Sequence, residues 1–141
     1  MYSKILILLL TSFLSCSKES IPNELVFNTQ KWGKMNLTSY EFTLKIICFC
    51  TIERVGPHLV KVVDNKVISV DNQPYDENKH GTILTIDELH KFIETSISKN
   101  PYKYSVKYNE EYGFPNDVFF DFSDQIADEE IGYMITDFKK N

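Results

Sequence analysis

Two cysteines separated by one residue, Cys48-Phe49-Cys50, are the side chains in this sequence best suited to chemistry. On an extended strand, positions i and i+2 project from the same face, so the two thiols would lie within reach of each other or of one metal ion. A disulfide across a single intervening residue is tight, because Cα atoms two apart in a strand lie roughly 6.5–7 Å apart and disulfides prefer about 5.5–6 Å. Such a bond would bend or bulge the strand end, and a strained bond is easily reduced, as a redox-active or thiol-sensing pair requires. The usual thiol oxidoreductase pair instead has two intervening residues at a helix start, where the dipole lowers a thiol pKa. Cys48 and Cys50 lack that setting. Two thiolates also leave a metal site two ligands short, and His58 lies beyond the Gly56-Pro57 break. Buried thiols or a structural bridge is the plain reading of the pair, and thiol exchange is the sharp one.

Asp121, Asp124, Asp128, Glu129 and Glu130 form a second cluster, hard oxygen donors of the kind that hold Ca²⁺ from a loop. Their spacing matches neither an EF-hand nor an aspartate-rich repeat, so a solvated loop competes with a cation site. His58, His80 and His90 are scattered, and His90 falls on the exposed face of an expected helix. No serine stands in a nucleophile-elbow context, and the five glycines form no phosphate loop. Conventional hydrolase or nucleotide chemistry is therefore not indicated, and no cofactor is implied. Tyr102, Tyr104, Tyr108 and Tyr112 concentrate in one strand and its turn. Most such aromatics serve the core, whereas exposed ones favour recognition of a protein or glycan.

The third cysteine has a different context. Lys4 opens a short polar start, an apolar run follows from Ile5 through Leu14, and Ser15 precedes Cys16. The run is too short to span a hydrocarbon core of about 30 Å as a helix and reads as a secretory signal. Residues 1–15 resemble a lipoprotein signal peptide, departing from the usual lipobox at Phe13, with Cys16 as the lipid attachment site and 16–22 as a polar tether. The expectation is an exported protein held to the bacterial cell envelope, at the outer membrane or cell surface, through the lipid on Cys16. Losing Lys4 takes the formal charge from −5 to about −6, which disfavours nucleic acid or anionic lipid headgroups as the chief partner.

The rest, 23–141, reads as one α+β domain. Pro22 suits a helix start, and Leu25, Asn28, Trp32 and Met35 share a stripe over Asn23 to Asn36. Tyr40, Phe42, Leu44, Ile46 and Cys48 alternate on one strand face, and Ile47 and Phe49 make the end of the other face apolar, so that end should be covered on both sides. Asp64-Asn65 joins His58–Val63 to Lys66–Val70 as a hairpin, and Asn72 to Gly81 reads as a loop. Thr85-Ile86-Asp87-Glu88 is a capping box that starts a second helix, which should stop at Asn100. Strands follow over Tyr102–Tyr108, Asp117–Phe122 and Ile131–Phe138. The expected order is α-β-β-β-α-β-β-β, an antiparallel sheet of about six strands with two helices on one face, and the two halves suggest an internal structural repeat.

Trp32, Tyr40-Glu41-Phe42-Thr43-Leu44, Cys48-Phe49-Cys50, Tyr112-Gly113-Phe114-Pro115 and Ile126-Ala127-Asp128-Glu129-Glu130-Ile131 together resemble a domain-of-unknown-function family of small bacterial secreted proteins and lipoproteins. The resemblance covers nearly all of Asn23 to Phe138 and implies one domain at the envelope, with no catalytic roles to carry over. The functional expectation is a non-enzymatic binding or accessory module for an envelope protein or glycan. A thiol-dependent protein using Cys48 and Cys50, and a cation-binding module using Asp121, Asp124, Asp128 and Glu129, are its alternatives.

Overall fold

A computed structural model of the chain describes residues 21–126 and 128–141. The expected signal peptide, Cys16 as the expected lipid attachment site and most of the expected tether lie outside the described residues.

Helix α1, Asn23–Met35, follows Pro22 and ends at Asn36, whose left-handed backbone (φ 54°) lets its N–H close onto the Gly33 carbonyl. Leu25, Asn28 and Trp32 are buried on its inner stripe, and the Asn28 amide is satisfied by donating to the Glu24 carbonyl. Met35, expected on that stripe, is exposed in the last turn, where the chain swings away into the next strand. Strand β1, Tyr40–Ile47, shows the expected alternation, with Tyr40, Phe42, Leu44 and Ile46 all buried. The short helix α2, Ile52–Val55, has no counterpart in the sequence pattern; it precedes a cis Gly56-Pro57 peptide.

Strands β2, His58–Val63, and β3, Lys66–Val70, form the expected hairpin, with Asp64 and Asn65 both at positive φ (49° and 59°), as a two-residue turn of this hand requires. The segment after it is more structured than a loop. Asp71-Asn72 repeats the same turn (φ 52° and 62°) and leads into the two-residue strand β4, Gln73–Pro74, then helix α3, Glu77–His80. Helix α4, Ile86–Ser98, begins with a complete capping box. The Thr85 hydroxyl accepts from the Glu88 N–H, and the Glu88 carboxylate accepts from the Thr85 N–H. The N–H of Ile86, also left without a helical partner, donates to the buried Tyr40 hydroxyl at 3.0 Å, so the cap of α4 is bonded to the core face of β1.

Strands β5, Lys103–Tyr108, β6, Pro115–Asp121, and β7, Ile131–Lys140, complete one antiparallel seven-stranded sheet in the order β4-β3-β2-β1-β7-β6-β5. The class is α+β as expected, with seven strands rather than about six and four helices rather than two. The extra elements are short pieces of two to four residues, too brief to show a period in the sequence. Helices α1 and α4 pack on the face that carries Tyr40 and Phe42. Trp32 meets Tyr40 edge-on at 5.4 Å, and Phe92 meets Phe120 and Tyr133 at 5.7 and 5.3 Å.

The suggested repeat holds only for the order of the longer elements, α1-β1-β2-β3 and α4-β5-β6-β7, and fails for their placement. β1, first strand of the first half, is central and pairs with β7, whereas β5, first strand of the second half, is the sheet edge. Equivalent strands of a duplicated unit would occupy equivalent positions. Strand β7 also carries a bulge opposite Phe42, between the Glu41–Lys139 and Thr43–Thr136 pairs, with Asp137 at φ 51°. Tyr133 and Ile135 face the core, so unbroken alternation would point Asp137 inward. The extra residue turns it out and sends Phe138 in, against Phe114 at 4.8 Å.

Candidate functional site

Strand β1 does not reach Cys48. Its last pair with β7 is Ile47 with Gly132, and beyond it Cys48, Phe49 and Cys50 form a bend. Freed from the pleat, the two Cα atoms close to 5.3 Å, inside the disulfide range, and the two sulfurs meet. The two cysteines, expected on one face of an extended strand, thus lie across a turn past the strand end. The expectation that this end is covered on both sides is overturned: Ile47 is exposed, Phe49 is 81% exposed and Ile52 on α2 is 87% exposed. Cys48 still packs against the core while Phe49 stands out from it.

His58 follows at the start of β2. It is buried, its Nδ1 lies 2.8 Å from a carboxylate oxygen of Asp71 and its Nε2 lies 3.3 Å from the Arg54 carbonyl. Asp71 also accepts from the Leu59 N–H at 2.8 Å. Partial burial pushes the Asp71 carboxyl up, but the hydrogen bonds from His58 and Leu59 outweigh it and hold it below the usual carboxylate range. A carboxylate orienting an imidazole is half of an acid–base set, yet here the far nitrogen is occupied by a backbone carbonyl. The arrangement staples α2 and the Gly56-Pro57 segment to the β3–β4 turn. Nothing in the sequence spacing pairs His58 with Asp71, although the repeated Asp-Asn dipeptide would locate the second turn.

His90 is not on an exposed face; it is 4% exposed, beneath Tyr108, with Nδ1 3.0 Å from the Thr29 hydroxyl and Nε2 without a partner. Burial lowers its pKa to about 4, so it is a neutral core histidine. His80 caps locally, accepting from the Asp76 N–H.

The acidic residues do not converge. Asp121 ends β6 and accepts from the Ser123 N–H, Asp124 and Asp128 are exposed, and Glu129 is half-buried. Among the described residues no group of three or more His, Cys, Asp or Glu side chains is placed to hold a metal ion. Two open clefts have the volume of small-ligand sites. One, about 450 Å³, lies between the end of α1 and the start of α4, where the Trp32 indole donates to Asp87 at 3.3 Å. The other, about 730 Å³, lies between the β3–β4 turn and α3 and is lined by Asp71, Tyr75, Asp76 and His80.

The tyrosines divide. Tyr108 stacks over His90, and Tyr112 packs on Phe114 and Phe138, so both serve packing. Tyr102 is 63% exposed and Tyr104 42%, the latter stacked on Phe120 at 5.5 Å. They flank the start of β5, which pairs with β6 alone and leaves its outer backbone edge open among the described residues. The opposite edge, β4, is only two residues long.

Among the described residues no helix is long and apolar enough to cross a membrane. No match was found among curated proteins or solved structures. Residues 24–140 match a family of unknown function, DUF6174, which takes in all but the first residue of α1 and the whole seven-stranded sheet, and the chain belongs to that family.

Proposed function

We propose that the chain is an exported, non-enzymatic lipoprotein, cut before Cys16, whose domain binds an envelope protein or glycan along the free edge of β5. The observation that carries the binding reading is that edge. It is a six-residue strand with one side unpaired, exposed over most of its length and fronted by Tyr102 and Tyr104. An open edge offers main-chain hydrogen bonds to an extended peptide, and exposed tyrosines supply contact area at low entropic cost. Lys103 and Lys107 on the same strand discourage indiscriminate pairing and leave selectivity to a chosen partner. The anchoring reading is supported by the Leu14-Ser15-Cys16 sequence after its apolar run.

A photo-crosslinking residue at Ser105, expressed in intact cells, should give one reproducible adduct that weakens when Tyr104 is replaced by Ser. The same probe at Asn65, in the turn between β2 and β3, should give none. Equal labelling from both positions, or none from either, ends this reading.

A second reading, thiol-dependent function, is favoured by the meeting of the Cys48 and Cys50 sulfurs in a partly exposed turn. Replacing both by Ser distinguishes the two. Loss of a reductant-linked phenotype in a stable protein supports thiol chemistry, and a change in stability alone supports a structural bridge.

A further inference from the structure

The large apolar side chains left in solvent are not spread evenly. Five of those described are more than 60% exposed: Phe27, Phe49, Ile52, Tyr102 and Ile126. All but Phe27 lie at one end of the sheet, as the strand register shows. Tyr104 pairs with Phe120 and Phe120 with Ile131, while Phe119 pairs with Gly132 and Gly132 with Ile47. The Cys48-Phe49-Cys50 turn and α2 continue from Ile47, Ile126 stands on the β6–β7 connection, and Tyr102 immediately precedes β5. The asymmetry is the reverse of what a freely soluble tip would show, since isolated exposed apolar residues are ordinary but a shared end of them marks a contact surface.

The chain also leaves the domain at this end. Contacts of Trp32 with Asp87, of Thr29 with His90 and of Leu25 with Ile97 run α1 antiparallel to α4, so Pro22 lies toward the C-terminal end of α4, in a small cavity of about 80 Å³ lined also by Tyr104, Val106 and Tyr108. From Pro22 back to Cys16 are six residues, a reach of roughly 20 Å when fully extended. A lipid on Cys16 therefore holds this end, and not the Asp64-Asn65 end, close to the bilayer.

Resting on the lipid anchor proposed above, we infer that this end of the sheet is seated on the membrane that holds Cys16, with Phe49 and Ile52 inserted at headgroup depth. The pairing of Cys48 with Cys50 presents Phe49 on a closed turn, so that little ordering is left to be done on contact. Aromatic and aliphatic side chains at such a level behave as interfacial anchors. The charges here select the lipid. Asp124 and Asp128 are exposed on the β6–β7 connection and Glu53 on α2, with Glu129 and Glu130 half-buried beside them, against Arg54, Lys99 and Lys103, so the surface fits zwitterionic rather than anionic headgroups.

The test uses the mature chain purified from bacterial membranes and reconstituted into phosphatidylcholine vesicles carrying a headgroup-level doxyl quencher. Native Trp32 is buried and supplies a constant background. In a Phe49→Trp protein the added fluorescence should be quenched at least twofold more strongly than that of an Asn65→Trp protein at the opposite end. An added Ile126→Trp probe should be quenched too, and should lose that quenching when Phe49 and Ile52 are both replaced by Asp, positions exposed enough to leave the core intact. Replacing a third of the lipid by phosphatidylglycerol should weaken the effect. Equal quenching at positions 49 and 65, or cell crosslinking from position 49 to a protein instead of lipid, on a chain whose mass includes the lipid, overturns the seating and leaves the anchor standing. Stronger quenching with the anionic lipid overturns the headgroup assignment. A mature chain without lipid on Cys16 overturns anchor and seating together.

Discussion

His90 is a single side chain whose surroundings depart from its sequence pattern, and the departure makes stability depend on pH. It sits five residues after the Thr85 cap, on the helical face expected to be exposed, and the structure buries it under Tyr108. Its pKa falls to about 4 by desolvation, against about 6.5 for the unfolded chain. Between those values the unfolded state binds the proton and the native state does not. Stability is therefore full above pH 6.5 and is lost as pH falls toward 4, by something on the order of 3 kcal/mol. His90→Phe, which keeps the stacking on Tyr108 and removes the unpartnered Nε2, should flatten this dependence. Urea midpoints measured at half-unit pH steps check it, and an unchanged slope would mean that another group is responsible. A Cys48–Cys50 bond would close so few residues that its chain-entropy gain is small. The double Ser replacement should cost no more than about 2 kcal/mol by urea unfolding under oxidising conditions. A larger loss would show that the turn supports the β1 end by contacts that the sequence separation does not reveal.

At the level of elements, the long periodic segments are legible in the sequence and the short ones are not. Alternation over Tyr40 to Ile46 and the Thr85–Glu88 box identify β1 and α4 because eight and thirteen residues give a period room to repeat. The strand end at Cys48 misleads, since apolar residues on both faces suggest cover, whereas pairing stops with Gly132 and leaves Ile47 and Phe49 in solvent. Strand β4 is too short for a period, although Asp71-Asn72 repeats the dipeptide that marks the first hairpin. The bulge at Asp137 has a signal too, an acidic residue in phase with Tyr133 and Ile135. Two glycines carry opposite expectations. A Cβ on Gly132 would sit 2.6 Å from the Val118 carbonyl oxygen, backbone that can move only by prying β6 from β7. Gly132→Ala should cost about 1–3 kcal/mol, as overpacking does. Gly33 is exposed in α1 with nothing within 4 Å, so Gly33→Ala should gain up to about 1 kcal/mol. Thermal melts of the two variants should move in opposite directions, and a shared direction would contradict the placement of one of them.

For the whole molecule, the class is legible because helix and strand periods alternate along the chain, and the sheet order is not. Nothing local announces that β1 pairs with β7, a contact between opposite ends of the domain's sequence that sets β5 at an edge and breaks the symmetry of the two halves. The candidate site divides in the same way. Cys48 and Cys50 are visible as a pair, but that they turn Phe49 outward at the end from which the tether leaves depends on the register of four strands. The surface assigned to a partner and the surface assigned to the membrane both take their meaning from the proposed anchor, which would be one covalent bond. Mass spectrometry of the protein extracted from membranes, with and without reductant, tests it most directly. The expected result is a chain beginning at Cys16, heavier than its residues by a diacylglyceryl group, and heavier by two further hydrogen atoms once reductant has converted the Cys48–Cys50 pair to two thiols. A chain that retains Met1, or one beginning at Cys16 without the lipid, would contradict it.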